Sequence, residues 1–290
     1  MTIENVLTTS ALMHVCRLRA VGQVVQTLAE GQGIGGVTAV GGEIYLLRWK
    51  RPDRIEVYDV VTYRLQRCLT VPDCHGFAAI TSCEYCLCVY IADDVAECVH
   101  RVQVQGITSQ WAVNDQPSGL SVNALQNVLV ACRAVRKIKE FGTHGNVVRE
   151  ICLPDEIVNP RHAVQSQAQF IVCHGRLGDS VHRVCTVSGD GRHIVHSHGG
   201  QPGSDIGQFD VPVCSAVDSN KFVFVVDRNN CRVTLLSPTL NYVGQVVSST
   251  ELKWEPVSLH LDTQRRRLYV ASNEWDGKNY TLGRVVVFSV

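Results

Sequence analysis

The 290-residue sequence predicts an all-β fold, a six-bladed β-propeller, from three repeating features. The first is an opening segment, a turn residue followed by a short apolar run, that recurs near positions 35, 75, 117, 160, 212 and 256. These positions are 40, 42, 43, 52 and 44 residues apart, close to the roughly 40–50 residues of a propeller blade. Each opener therefore predicts the innermost strand of one blade.

The second and third features follow each opener. Runs of β-branched and aromatic residues predict the second strands, and they lie at 44–47, 88–91, 128–131, 170–173, 222–226 and 268–271. A basic residue followed by Ile or Val then marks the third strand. We call these residues the basic column, and they are Arg54, Arg101, Lys137, Arg183, Arg232 and Arg284. Contact with backbone carbonyls or acidic groups between blades best explains such a recurrence, so we expect a structural role.

The last repeat ends at its third strand, so another part of the chain is expected to supply its fourth. Residues 21–25 repeat the sequence VGQVV of residues 243–247, which lie in a predicted fourth strand. We therefore expect residues 21–28 to complete the sixth blade, which would leave no free strand edge in the ring. Residues 1–290 would then form a single propeller, with residues 1–20 as an N-terminal extension.

The composition limits the classes of function. Hydrophobic residues make up 45% of the chain and charged residues 19%, which is too apolar for a disordered chain. Lys plus Arg and Asp plus Glu number 27 each. Attraction to a nucleic acid would therefore depend on a local basic patch and not on the net charge.

The cysteines and the N-terminus indicate the compartment. Thirteen cysteines without regular spacing predict reduced thiols and not a disulfide scaffold. Glu4 stands where a signal peptide requires basic residues, and no apolar segment approaches the roughly 20 residues that span a bilayer. We expect a soluble, cytoplasmic protein that does not contact a membrane.

The fifth repeat resembles an NHL repeat, the blade unit of a family of six-bladed propellers. The resemblance rests on residues 207–212 (GQFDVP), 216–218 (AVD) and 225–233 (VVDRNNCRV), and the other repeats match less closely. NHL propellers at the C-terminal end of tripartite-motif proteins recognise RNA or protein partners, and some work beside a RING ubiquitin ligase domain. The resemblance thus implies a binding role. This chain contains no RING or B-box pattern, so ligase activity would belong to a longer parent protein.

Propeller geometry predicts which loops bind a ligand. In a four-stranded antiparallel blade, the loop between the second and third strands lies on the same face as the loop between blades. Arg and aromatic residues in such loops are typical of binding hot spots. We call this surface the loop face, and its predicted ligand residues are Arg48, Trp49, Lys50, Arg51, Arg133, Arg136, His174, Arg176, Arg228, Asn273 and Trp275. In the alternative interpretation, the charges only solubilise the protein and Trp49 or Trp275 packs against a neighbouring blade.

The signals for metal binding and catalysis are weak. Cys83, Cys86 and Cys88, with Cys98 and His100, have ligand types that suit zinc, but successive side chains of a strand point to opposite faces. Propeller hydrolases and lyases concentrate carboxylates or histidines in the central channel to hold a metal. Here the predicted channel strands contain His260 as their one ionisable residue. We therefore expect no metal, no cofactor and no catalytic residue.

The sequence as a whole predicts a non-catalytic binding or scaffold propeller that uses its loop face. A protein partner is the first candidate, because acidic residues accompany the basic ones on that face, and single-stranded RNA is the second. The chain would be the substrate-recognition part of a ubiquitin-ligase-type protein if the family resemblance extends that far. The alternative from another class is a metal-dependent propeller hydrolase or lyase.

Overall fold

Six four-stranded antiparallel sheets make up the fold. The structure is a computed structural model and describes residues 22–49, 54–106 and 108–290. The innermost strands of all six sheets line one central cavity, so the sheets are the blades of a propeller. The predicted fold class is confirmed. The predicted extension 1–20 lies outside the described residues.

The first three blades each use four consecutive strands, numbered from the channel outward. Blade one contains β2 (Ile34–Val40), β3 (Glu43–Arg48), β4 (Arg54–Asp59) and β5 (Leu65–Leu69). Blade two contains β6 (Ala79–Cys83), β7 (Cys88–Asp93), β8 (Cys98–Gln103) and β9 (Thr108–Ala112). Blade three contains β10 (Pro117–Val122), β11 (Val128–Cys132), β12 (Lys137–Phe141) and β13 (Val147–Cys152).

Blades four and five follow the same order, and blade six takes its outermost strand from the start of the chain. Blade four contains β14 (Pro160–Ser166), β15 (Gln169–His174), β16 (His182–Ser188) and β17 (Ile194–Gly200). Blade five contains β18 (Pro212–Val217), β19 (Val223–Asp227), β20 (Arg232–Leu236) and β21 (Tyr242–Val247). Blade six contains β22 (Glu255–Asp262), β23 (Arg267–Trp275), β24 (Tyr280–Ser289) and β1 (Val24–Gly31).

The pairing of β1 with β24 closes the ring. Leu28 lies opposite Val285 and Thr27 opposite Val286 in an antiparallel ladder, as the repeated VGQVV sequence predicts. The buried side chain of Asn273 adds hydrogen bonds between the first and last blades. The Asn273 amide donates to the Ile34 carbonyl at 2.8 Å and accepts the Ile34 N–H at 2.8 Å, which links blade six to blade one.

Apolar side chains fill the spaces between neighbouring blades. Between blades five and six, Phe224 and Leu235 pack in one cluster with Leu268 and Phe288, and all four are buried. Each sheet therefore buries both of its faces, which explains why the second strands are continuously apolar. The described residues include a single short helix, α1 (Ser249–Leu252), which begins with a capping box formed by Ser248 and Glu251.

Proline and a bulge mark the start of most innermost strands. Pro117, Pro160 and Pro212 begin such a strand and Pro256 is the second residue of β22. The missing N–H costs little at the start of a strand. A register shift follows each of them in its pairing with the second strand. A bulge turns the side chains at the strand entrance, so the bulges determine which residues face the channel mouth. No helix among the described residues has both the length and the apolar character needed to cross a bilayer.

Candidate functional site

A cleft of about 450 Å³ opens on the loop face, where blades four, five and six meet. We call it the arginine cleft, and its lining residues are Arg161, Arg176, Leu177, Val211, Arg228, Asn229, Glu255, Trp275 and Tyr280. Three of the predicted ligand residues, Arg176, Arg228 and Trp275, therefore lie together in one cavity.

Several elements bring these side chains together. Arg161 follows Pro160 at the bulge of β14, so it stands at the entrance of the central channel. Arg176 lies in the β15–β16 loop, and Arg228 begins the β19–β20 loop. Trp275 ends β23 and lies opposite Tyr280, the first residue of β24. The cleft thus combines two innermost strands, through Arg161 of β14 and Glu255 of β22, with the loops between second and third strands.

Arg161 is the electrostatic centre of the cleft. It is half-buried, and within the described residues its guanidinium has no hydrogen-bond or ion-pair partner. Burial, and then the positive charges of Arg228, Arg133 and Arg176, lower the pKa of Arg161 to about 10. The cation is therefore desolvated and repelled by its neighbours, a combination that an incoming anion would relieve.

The other two arginines of the cleft have partners. The Arg228 Nε lies 3.1 Å from Glu255 Oε2, and the same carboxylate oxygen accepts the Tyr280 hydroxyl at 2.9 Å. Arg176 lies 3.8 Å from Asp179 Oδ1 and is largely exposed. Glu255 is the one acid in the lining, so the cleft keeps an excess of positive charge.

An aromatic wall borders the arginines. Tyr280 is in edge contact with Trp49, with ring centroids 5.7 Å apart, and is tilted against Trp275 at 4.8 Å. The Arg228 guanidinium lies over the Tyr280 ring at 5.3 Å. Trp275 remains 47% exposed. Trp, Tyr and Arg are the residue types enriched in binding hot spots.

Three predicted ligand residues, Arg48, His174 and Asn273, are buried in the structure. Arg48 pairs with Glu56 at 2.9 Å and donates to the Gln32, Ala29 and Gly283 carbonyls. His174 lies 3.4 Å from the Cys185 thiol, and burial lowers its pKa to about 4. Asn273 links blades six and one. Arg48 and His174 are the last residues of β3 and β15, and Asn273 lies near the end of β23.

The remaining predicted ligand residues lie outside the cleft. Trp49 packs against Tyr280 of the neighbouring blade, in agreement with the alternative interpretation. Arg133 is half-buried and near enough to Arg161 to lower its pKa. Arg136 forms an exposed ion pair with Asp155 at 2.9 Å. Lys50 and Arg51 lie outside the described residues.

Sequence reasoning missed Arg161, Glu255 and Tyr280. Arg161 had a usable signal, because the residues after the opening prolines of blades three, five and six are Ser118, Val213 and Val257. A basic residue at this otherwise uncharged position is exceptional. The sequence contained no comparable signal for Tyr280 and Glu255, because they belong to strands whose pairing register was not known.

The basic column is in register in five blades and wrong in blade two. Arg54, Lys137, Arg183 and Arg232 each pair with the last residue of the second strand. Arg284 pairs with Ser272, which lies opposite Pro256 just as His174 lies opposite Pro160. In blade two that position is Cys98, which lies opposite Asp93, whereas Arg101 lies opposite Tyr90. The basic–apolar pattern could not distinguish the first residue of a strand from its middle, so Arg101 was misplaced.

Two of the column residues, Arg232 and Arg284, bind groups of the protein itself. Arg232 pairs with Asp227 at 2.7 Å and donates to the Ser204 and Gln208 carbonyls, both at 2.8 Å, in the loop that precedes its blade. Arg284 likewise donates to the Leu252 carbonyl at 2.6 Å. These contacts tie the loops between blades to the sheets.

The central channel contains a cavity of about 180 Å³. Its described lining includes two imidazoles and no carboxylate. His162 accompanies the predicted His260, because the bulge after Pro160 turns it inward. Burial lowers the pKa of both to about 4, so both are neutral at pH 7. Nε2 of His162 lies 3.0 Å from the Leu120 carbonyl, and Nδ1 of His260 lies 3.2 Å from the Thr38 hydroxyl.

The structure separates the cysteines that the sequence considered together. Cys83, Cys86 and Cys88 lie around the turn between β6 and β7, whereas Cys98 and His100 lie in β8 near the other end of β7. The two groups therefore do not form one site. All twelve cysteines in the described part of the chain are free thiols.

Comparison with known proteins identifies similar folds. No family model matches the chain, and no curated protein matches it. A streptogramin B lyase structure is similar with a TM-score of 0.61 and 11% identity, covering 92% of this chain and 89% of that chain. Virginiamycin B lyase from Staphylococcus aureus is similar at 0.57 and 13%, covering 89% and 85%.

Kuenenia stuttgartiensis hydrazine synthase is also similar, with a TM-score of 0.60 and 15% identity, covering 90% of this chain and 97% of that chain. Identities this low carry the fold and not the activity, because propellers support unrelated functions.

Proposed function

We propose that this chain is a non-catalytic binding propeller that recognises a protein partner through the arginine cleft. The observation that carries the proposal is the unpaired, desolvated Arg161 between Arg176 and Arg228. In this proposal an Asp or Glu side chain of the partner, or its C-terminal carboxylate, enters the cleft and neutralises Arg161. Hydrogen bonds between a guanidinium and a carboxylate are charge-assisted and bidentate, so they give both affinity and orientation.

The rest of the cleft suits a peptide. A volume of about 450 Å³ holds a few side chains, and Trp275, Leu177 and Val211 provide apolar surface beside the charge. Glu255 gives the partner a second polar group to contact. An acidic residue flanked by apolar residues would match this lining.

A protein partner is favoured over single-stranded RNA for an electrostatic reason. Glu255 lies inside the cleft and Asp179 lies beside Arg176, and both would repel consecutive phosphates. The chain also has no net charge, so it lacks the long-range field that draws nucleic acid to its binding proteins. A single carboxylate placed at Arg161 avoids the repulsion by Glu255 and Asp179 and does not require a long-range electrostatic field.

The remaining parts of the proposal rest on the sequence. The fifth repeat resembles an NHL blade, and we propose a cytoplasmic recognition role of the kind found in that family, including substrate recognition for a ubiquitin ligase. The alternative of a metal-dependent hydrolase or lyase is not favoured, because the described channel lining lacks carboxylates that would hold a catalytic metal.

The experiment is a peptide-display selection against the purified chain, followed by fluorescence polarisation with the enriched peptides. We expect the enriched peptides to share an Asp, a Glu or a free C-terminus beside an apolar residue. Arg161→Gln should weaken their binding at least about 10-fold, the loss expected for one charge-assisted hydrogen bond. Arg136→Gln, which removes an arginine of the same face outside the cleft, is the matched control.

Two results would overturn the proposal. One is equal affinity of the enriched peptides for the wild type and Arg161→Gln. The other is tighter binding of a single-stranded oligouridine probe than of any peptide, with an affinity that falls steeply as salt is added. Melting curves of each variant establish that the fold is intact.

A further inference from the structure

Blades two and five each bury a carboxylate at the end of the second strand, but different groups surround it in the two blades. Asp93 and Asp227 each end a second strand, and both are fully buried. In blade five the residue opposite Asp227 is Arg232, which supplies the counter-charge at 2.7 Å. In blade two the residue opposite Asp93 is Cys98. Blade two therefore has the buried anion without the arginine.

Groups that can bind a metal take the place of that arginine. His100 Nε2 lies 3.5 Å from Asp93 Oδ2, and the Cys98 thiol lies 3.3 Å from the same imidazole nitrogen. Cys74, from the loop between blades one and two, reaches the same point. The ligand atoms of Cys74, Asp93 and His100 all lie within 4.8 Å of one another.

The strand geometry explains how these residues meet. Cys98 and His100 are two residues apart in β8, so their side chains point to the same side of the sheet. Asp93 lies opposite Cys98 in the ladder, and Cys74 approaches from the preceding loop. Alternation along a strand, which counted against a zinc site in the sequence, here places two of the ligands together.

We propose that Cys74, Asp93 and His100, whose ligand atoms lie together, bind one Zn²⁺ that replaces the arginine of blade five. The Cys98 thiol, 3.3 Å from His100 Nε2, turns toward the metal as the fourth ligand. Two thiols, an imidazole and a carboxylate are a donor set that zinc accepts in tetrahedral structural sites. Zinc bonds of about 2.0–2.3 Å place neighbouring ligand atoms about 3–4 Å apart. The observed 3.3 and 3.5 Å separations at His100 match this spacing.

The backbone already orients the carboxylate. Asp93 Oδ1 accepts the Val95 and Ala96 N–H groups at 3.0 and 2.8 Å, and Oδ2 accepts the His75 N–H at 2.6 Å. Such outer contacts hold a ligand in position for its metal. Through Cys74, the zinc would attach the preceding loop to blade two, as Arg232 attaches the loop before blade five through its carbonyl contacts.

The test is a titration of the reduced, metal-stripped full chain with Zn²⁺ and, for spectroscopy, with Co²⁺. We expect one equivalent to bind, visible absorption bands of tetrahedral thiolate-bound cobalt, and a rise in melting temperature that a chelator reverses. Cys74→Ser should lose the thiolate-to-cobalt band intensity and bind zinc at least about 10-fold more weakly. Cys68→Ser, which changes an exposed cysteine of β5, is the matched control and should behave as the wild type.

Cys98→Arg gives the sharpest outcome, because it installs the cation of blade five. The variant should fold without metal, bind no stoichiometric zinc and show no melting response to a chelator. The proposal is overturned if the wild-type chain binds no metal in the titration. It is equally overturned if Cys74→Ser and Cys98→Arg both keep the stoichiometry and affinity of the wild type, since the metal would then be bound elsewhere.

Discussion

Arg232 in blade five and Arg161 in blade four are two partly buried arginines with opposite electrostatic surroundings. Arg232 is paired with the buried Asp227 and two backbone carbonyls, whereas Arg161 faces other arginines, and its pKa is lowered to about 10. A cation whose partner is supplied by the fold stabilises the fold. A cation left without one costs stability and creates a place for an external anion.

Blade two extends the comparison to a carboxylate. Asp93 resembles Asp227 in position and burial, but its counter-charge is missing, and thiols and an imidazole surround it instead. Arg232 therefore serves the structure, and we propose that Arg161 serves a partner and Asp93 a metal. The four expectations below test these differences, beginning with the largest effect.

Arg232→Ala should lower the free energy of unfolding by about 3–5 kcal/mol, the cost of leaving a buried carboxylate unpaired. Urea unfolding followed by circular dichroism measures the change. Arg133→Ala, which removes a half-buried arginine without a described partner, should change it by less than about 1 kcal/mol. Equal losses in the two variants would contradict a special role for the pair.

Acid should destabilise the protein through the imidazoles that the fold keeps neutral. Burial lowers the pKa of His162 and of His260 to about 4, below the roughly 6.5 of an unfolded histidine. Between these values the unfolded state binds more protons, so stability is complete above about pH 6.5 and falls as the pH approaches 4.

Each of these imidazoles should cost up to about 3 kcal/mol at the acid end of that window. Urea unfolding at several pH values measures the slope, and His260→Gln should make it shallower than in the wild type. Stability that stays constant from pH 6.5 to 4.5 would show that the channel histidines are not held neutral.

Arg161→Gln should leave stability within about 1 kcal/mol of the wild type, with a change toward greater stability, because it removes an unpaired, desolvated charge. Inorganic phosphate, used as a simple anion, should raise the melting temperature of the wild type more than that of the variant. Differential scanning fluorimetry measures both. A large destabilisation by Arg161→Gln would place this arginine with Arg232 in the structural class.

Arg136→Gln should have the smallest effect, within about 0.5 kcal/mol. Its ion pair with Asp155 is exposed on both sides, and such surface pairs contribute little to stability. Chemical unfolding of this variant sets the baseline for the other substitutions. A loss above about 1 kcal/mol would mean that the loop face contributes more to stability than the contacts described above.

The fold of this protein could be predicted from its sequence. Blade length, the apolar second strands and the VGQVV repeat are local or periodic features, and they identified six blades and the strand that closes the ring. The loop face also followed from strand order alone, and three residues predicted for that face, Arg176, Arg228 and Trp275, lie in one cleft.

Which of the candidate residues have a partner within the fold depends on contacts between distant segments and could not be predicted from the sequence. Arg48, His174 and Asn273 belong to loop-face segments in sequence, but neighbouring blades bury them. Arg161 acquires its role from the bulge after Pro160 and from arginines of other loops. Cys74 and Asp93 lie in different segments, and the ladder register that joins Asp93 to Cys98 is not encoded in their spacing. Charge compensation depends on contacts between distant segments, and periodicity carries no information about those contacts.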